Sequence, residues 1–528
     1  MWTTRARLWL LPAAAMAFLV VAIAYWAYKT SGNEAAYPLD DTFIHMAMAK
    51  NLAAGHWGVT AHEISNASSS PVYVAMLALL GKLGLPFIWL PLILNLLAGM
   101  GLLWIASEIL SLEQVPQLIH RLCLLALIVL LPLPYIVMFG MEHVLHSALV
   151  LGFLACAISC LQGGSARPLF WISPFLVLIR PESSLLIALA SVCLAAVKRF
   201  REAVIIAALG AVPAVAFGLM NISLGESFLA NPILLKAGMP AVPLWMVPFQ
   251  YLRKIPLQMF DAPALFFLAV VLIYAADAWL KKTKNLLDSR VLWPLAAVLA
   301  ILGHLAFANV GWLYRYEMYL VALAMVALAV SIPRPKAWIL LVALIPCAWR
   351  AYDCVRVFPE TIYSQRIQLA HMVHDYYNDS SVALHDIGGV AYYTDAKLLD
   401  LAGLATRKVM QQRKNGKFST EDLDRFANED GTKIAIVYDS WFEGNGDVRQ
   451  FWVGPKLPSS WIKVGEWRSL RHGKIIEEPL SFYATSAQNV EQLRIAMQAY
   501  APRVSSSIEV YLSPDSISSV PIPSQGGE

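Results

Sequence analysis

The chain has 528 residues, 58% of them hydrophobic and only 14% charged, whereas about a quarter of the residues in a soluble globular protein are charged. The net charge of +4 is small and, in a chain this apolar, reflects loop Lys and Arg rather than a nucleic-acid surface. The six cysteines show no CxxC or Cys/His spacing, which gives neither a disulfide framework nor a zinc site.

Runs of about 20 apolar residues read as membrane spans, and eleven are predicted: 8–28, 86–106, 122–139, 143–161, 168–182, 183–197, 203–222, 261–280, 291–310, 316–332 and 336–352. The first follows Arg5 and Arg7 and is longer than a signal-peptide core, so it is expected to stay attached. Between the first two spans lies the most polar stretch of the apolar half, from Tyr37 to Tyr73. It opens on Asp40 and Asp41 and continues as a short helical pattern with Ile44, Met48 and Leu52 every four residues. Either acid stands where a helix N-cap is expected. Pro71 to Leu83 is too short to cross and reads as an interfacial helix.

With that helix on the surface and the N-terminus inside, nearly every basic cluster falls on the cytoplasmic side, including Lys198-Arg199-Arg201 and Lys281-Lys282-Lys284. The outer face then receives the Asp40-Asp41 loop, Glu142, Arg180-Pro181-Glu182, the loop 223–260 and Arg315. It also receives residues 353–528. There the composition turns polar, and Val382 to Leu384, Leu398 to Leu401, Ile434 to Tyr438 and Trp461 to Val464 read as strands. Glu421 to Asn428 and Val490 to Ala499 read as helices, and Ser505 to Glu528 as a tail poorly ordered near its end.

Ionisable groups at a membrane are costly and mark function by default. Asp40 and Asp41 have the chemistry of a general base for an acceptor hydroxyl, against plain helix capping. His45 stands one turn beyond Asp41. Glu142 begins a span, and Arg180 with Glu182 flanks a proline corner, where an ion pair is as good a reading as ligand contact. Asn231 and Lys236 lie in ANPILLKAG, Arg315 lies between two tyrosines, and Arg253 with Lys254 follows in the long loop. Lys236, Arg180 and Arg315 are the cations best placed to meet a phosphodiester. His371 and His374 have helical spacing but no third ligand, and Gly388-Gly389 follows a strand without a dinucleotide motif.

The pieces LDDTFIHMAMAKNLAAGHWGV with SSSPVY, GMEHVLHSAL, IRPESSLL, LANPILLKAG, LYRYEMYL and HDIGGVAYYTDAKLLDLAGLA occur in an order and spacing, over residues 35 to about 405, that resembles bacterial GT-C-fold glycosyltransferases. The branch it resembles contains the mycobacterial terminal arabinofuranosyltransferase AftB. The resemblance implies a polytopic α-helical membrane protein with a transmembrane catalytic domain over 1–352, whose first outer loop spans 29–85. A C-terminal extracytoplasmic α/β domain over 353–528 would complete it. It implies inverting transfer from a polyprenyl-phosphate sugar to a cell-envelope glycan, lipid or protein at the outer face of the bacterial inner membrane. Asp40, then Asp41, would be the base. Lys236, Arg180, Arg315 and His45 would serve the donor phosphate, and Glu142, Glu182, Asn231 and Ser70 would shape the pocket. The resemblance implies no cofactor and a transfer that is metal-independent or only metal-assisted. Relatives often carry Arg or Tyr at the place of His45, and Gly-Tyr-Thr where this chain has Ala67-Ser68-Ser69, so the sugar does not carry over. The rival class is a transporter or flippase of lipid-linked intermediates. It would place charge at span middles and broken helices in two halves.

Overall fold

The computed structural model describes residues 7–237, 247–311, 313–332, 345–349, 351–352, 363–446, 448, 453–470 and 478–513. The chain divides into two compact units. One comprises Met1–Ala35, Ser69–Phe228 and Met239–Val357, and the other Ala36–Ser68, Leu229–Gly238 and Phe358–Glu528.

The first unit is helical. Six helices among its described residues are long and apolar enough to cross a membrane: Leu10–Thr30, Phe87–Leu112, His143–Leu161, Phe200–Ser223, Pro263–Thr283 and Ser289–Phe307. They make this a multi-pass membrane protein. Large apolar side chains point outward from this unit, Leu11 at 80% and Trp171 at 78% exposure, as a lipid-facing surface requires and an aqueous one avoids.

The remaining expected spans are shorter. The run 122–139 is split into Gln117–Val129 and Leu133–Met138, because Pro132 and Pro134 cannot donate to a continuing helix. Arg167–Ile179 and Ser184–Ala196 have 13 residues each and Met318–Ser331 has 14. At about 1.5 Å per residue they reach roughly 20 Å, against a hydrocarbon core of about 30 Å. Pro71–Lys82 is a helix of 12 residues. Most of 336–352 lies outside the described residues.

The second unit is built on a mixed six-stranded sheet. Its strands are β1 (Ser381–Leu384), β2 (Lys397–Asp400), β3 (Thr432–Tyr438), β4 (Ile462–Ser469), β5 (Leu480–Ala484) and β6 (Ile508–Leu512), in the order β2-β1-β3-β5-β4-β6. β1 pairs in parallel with both β2 and β3, and the other pairings are antiparallel. Each parallel crossover carries helix, Gly388–Tyr393 between β1 and β2, then Arg407–Lys414 and Thr420–Glu429 before β3, as parallel pairing demands. Leu399, Leu401, Val409, Leu423, Phe426 and Val437 form the core beneath these helices. Under the antiparallel half, buried Trp467 packs 5.1 Å from Phe482 and stacks at 6.0 Å on Tyr500. Trp467→Ala is expected to cost about 3–5 kcal/mol, read as a lower denaturant midpoint of the tryptophan fluorescence transition in the solubilised full chain.

Residues 36–68 fold as part of this sheet unit. His62 Nε2 lies 2.8 Å from the Asp395 carbonyl, and Glu63 accepts from the Arg407 N–H at 2.9 Å. Asn231 joins the set, its N–H donating to Asn66 and its Nδ2 to Leu404, each at 2.9 Å.

Candidate functional site

The helix Asp40–Ala53 starts after Leu39, whose extended backbone makes it the N-cap, so Asp40 and Asp41 fill the first turn. The expectation that one of them caps this helix is corrected. Asp40 instead reaches a different segment, its Oδ2 accepting from the Gly388 N–H at 2.7 Å and its Oδ1 from the Gly389 N–H at 3.0 Å. Gly388 is required by space. A Cβ on Gly388 would lie 2.2 Å from the Asp40 carbonyl oxygen and 2.8 Å from Oδ2, inside any tolerated contact.

Asp40 is 9% exposed. Burial, then the charge of Asp386, push its carboxyl up to about 7, while Arg366 and the two glycine N–H groups pull the other way. Arg366 donates through Nε to Asp386 Oδ2 at 3.0 Å and pairs with it again through Nη2. Burial opposes the guanidinium's charge, but Asp386 holds it above its ordinary range. Two carboxylates therefore share one arginine. Beside them, at the carboxyl ends of β1 and β3, a small crevice is lined by Gln365, Arg366, His385, Asp386 and Tyr438. This is where the strand order reverses direction about β1, the usual ligand position in a parallel sheet.

The face of the Asp40 helix continues into packing. Phe43 sits 5.9 Å from Tyr37 and 6.0 Å from both Tyr392 and Tyr393. Asp41 is partly exposed, while His45 is buried one turn later. Lys236 falls on the helix Asn231–Ala237, and its side chain lies outside the described residues. Arg253 and Lys254 belong to the other unit, in Val247–Asp261.

A second polar cluster forms within the helical unit. Arg180 precedes Pro181 and is extended at φ −150 and ψ 120, the region a following proline imposes. That conformation ends the Arg167–Ile179 helix and turns the guanidinium inward, 8% exposed. It donates to Glu142 Oε1 at 2.9 Å and pairs with Glu182. Glu142 opens the His143–Leu161 helix after Gly140, at φ +65. Tyr316 lies between two cations, with Arg180 5.6 Å and Arg315 5.0 Å from its ring. Arg315 also donates to the Tyr316 hydroxyl at 3.1 Å. His146 and Ser183 lie 2.7 Å apart, and His304 stands 3.1 Å from the Tyr319 hydroxyl. Ser70 is buried as the N-cap residue of Pro71–Lys82.

The predicted residues thus fall into two sets. Asp40, Asp41, His45, Asn231 and Lys236 belong to the sheet unit, and Ser70, Glu142, Arg180, Glu182 and Arg315 to the helical one. Sequence reading missed Gly388 and Gly389 as partners of Asp40, along with Arg366, Asp386 and Tyr316. The glycine pair following a strand was the available clue, since paired glycines mark close backbone approach. Nothing in the sequence around Arg366 distinguishes it from other helix arginines. Among the described residues no cluster of three or more His, Cys, Asp or Glu has the arrangement of a metal site. His371 packs 5.1 Å from Tyr393, and His374 pairs with Asp375 at 3.1 Å.

Residues 359–489 match a family described as a domain of unknown function, DUF8728. No curated protein matches the chain. Among solved structures it is similar to a cryo-EM structure of a mutant of the mycobacterial arabinofuranosyltransferase AftD, at 14% identity and a TM-score of 0.38. That likeness covers 90% of this chain and 41% of the other, so the chain spans about two fifths of that protein's length.

Proposed function

We propose that this protein is an inverting membrane glycosyltransferase of the GT-C type that moves a sugar from a polyprenyl-phosphate donor to a cell-envelope glycan, lipid or protein. A carboxylate of the Asp40–Asp41 pair is the general base. The acceptor oxygen bonds to the anomeric carbon as the carbon–oxygen bond to phosphate breaks, the phosphate leaves with the electron pair, and the hydroxyl proton passes to the aspartate. A polyprenyl phosphate leaves readily, so one base and cations on the phosphate suffice. Arg180, Arg315 and Lys236 supply those cations, with His45 beside the base and Glu142, Glu182, Asn231 and Ser70 shaping the pocket. The reading keeps eleven spans, a cytoplasmic N-terminus, a catalytic domain over 1–352 and an extracytoplasmic domain over 353–528.

The observation that carries it is the acidic first turn of the Asp40–Ala53 helix. There one carboxylate, Asp40, is fixed by two backbone N–H groups, and the next, Asp41, keeps the partial exposure that a base meeting an acceptor hydroxyl needs. The test is to incubate the purified chain in nanodiscs with a panel of polyprenyl-phosphate sugars and envelope acceptors, following release of polyprenyl phosphate. Turnover of one donor is expected, reduced roughly 10²–10⁴-fold when the base is replaced. No turnover of any donor, or full activity in both Asp40→Asn and Asp41→Asn, sinks the reading.

A further inference from the structure

Asp40 and Asp41 are adjacent in sequence but meet different surroundings, and we infer that they divide the work. Asp40 is a positioning residue that latches the acidic turn onto Gly388 and Gly389, and Asp41 is the catalytic residue that takes the acceptor's proton. This assignment rests on the transfer reading above, and it reverses the order of preference that the family resemblance implies.

Successive helix residues point about 100° apart, so the face that turns Asp40 toward Gly388 turns Asp41 away from it. Both Asp40 oxygens already accept a backbone N–H, at 2.7 and 3.0 Å. The contact is too close to admit any side chain at Gly388, where a Cβ would meet the Asp40 carbonyl oxygen at 2.2 Å. One turn along the same face, Phe43 is wedged against Tyr392 and Tyr393. That face is spent on holding the helix.

The other face carries the chemistry. Asp41 keeps partial exposure, and His45 follows four residues later, where side chains on a helix are neighbours. A carboxylate with an imidazole one turn away is a base with a group to orient it. As the acceptor oxygen bonds to the sugar and the bond to phosphate breaks, the hydroxyl proton goes to the Asp41 carboxylate. Asp40 keeps its two hydrogen bonds throughout. The pins at His62, Glu63 and Asn231 hold the rest of the 36–68 segment in the same unit, so the latch is one of several fixing where Asp41 stands.

The experiment reads two signals in the full chain in nanodiscs. The first is hydrogen exchange of the Gly388 and Gly389 amides, and the second is donor turnover. Asp40→Asn and Gly388→Ala should each speed exchange at least tenfold and lower turnover. The double variant should lose no more than the worse single one, since both break one contact. Asp41→Asn should leave exchange unchanged and cut kcat at least a hundredfold with little change in KM, and Asp41→Glu should recover part of it. Unchanged exchange in Asp40→Asn overturns the latch. Retained turnover in Asp41→Asn, with loss confined to Asp40→Asn and normal activity in Gly388→Ala, overturns the base assignment. A wild-type chain that turns over no donor removes the transfer reading and the role of Asp41 with it, whereas the exchange result still decides the latch.

Discussion

Arg180→Met is expected to destabilise the helical unit by about 3–5 kcal/mol, the usual result of breaking a buried ion pair by removing one partner. Arg180 joins two carboxylates, Glu142 and Glu182, and the Glu142 side chain is fully buried. Deleting the guanidinium leaves two negative charges without their cation, the Glu142 carboxylate fully buried and the Glu182 carboxylate largely so. It also removes one of the two cations beside Tyr316. The measurement is the thermal unfolding midpoint in detergent, with Glu142→Gln/Arg180→Met/Glu182→Gln as the control. The triple variant replaces the charges together and should regain much of the loss. An Arg180→Met chain with the wild-type midpoint would show that the triad carries little stability. Arg180→Lys should fall between, since an ammonium cannot hold two carboxylates in the planar fork of a guanidinium.

The second large effect is on pH dependence. The Asp40 carboxyl, ordinarily near 3.8, is pushed up to about 7 in the fold, first by burial. Between those values the folded chain binds the proton more tightly than the unfolded one. Raising the pH through this window therefore costs the folded state up to about 1.4 kcal/mol per unit. Stability from this group is fully present below about pH 4, declines through the window, and is flat above about 7. Burial sets the shift first, Asp386 adds to it by repelling the ionised form, and Arg366 with the two glycine N–H donors opposes it. Denaturant unfolding of the sheet unit, followed through its tryptophans at pH 4, 5.5 and 7, should show the decline. Asp40→Asn, which cannot titrate, should flatten it. A slope that persists in the variant would assign it to another group.

Much of the architecture is readable from residues alone, for physical reasons that also mark where reading stops. A run such as His143–Leu161 is readable because only a membrane or a large core accepts so many apolar side chains. Runs interrupted by proline are different. The break at Pro132 turns one expected span into two short helices. In the sheet unit, β1 to β4 carry short apolar stretches, and each overlaps a predicted strand. β5 and β6 did not, and β6 lies at the start of the segment expected to be poorly ordered near its end. Strand order was beyond reach, since β5 sits between β3 and β4 through pairings that local pattern does not encode. The acidic pair was legible as chemistry, but its partners were not. The Asp40 contact spans 348 positions of sequence, and no periodicity reports a contact at that distance.

That separation has a consequence for how the protein is made. Chains emerge from the ribosome N-terminus first, at roughly 5–20 residues per second, so the acidic helix is complete on the order of tens of seconds before Gly388 exists. During that interval Asp40 has no glycine amides to accept from and Phe43 no tyrosines to pack against. The helix must wait while most of the apolar helices are synthesised behind it, held only by its own weak 14-residue propensity. A transcript cut short between residues 331 and 388 yields a protein that keeps the apolar helices from Leu10 to Ser331 and leaves its acidic turn without the glycine anchor. Such fragments would insert normally and then present an unfolded, protease-sensitive loop, which makes that loop a natural mark of incomplete synthesis.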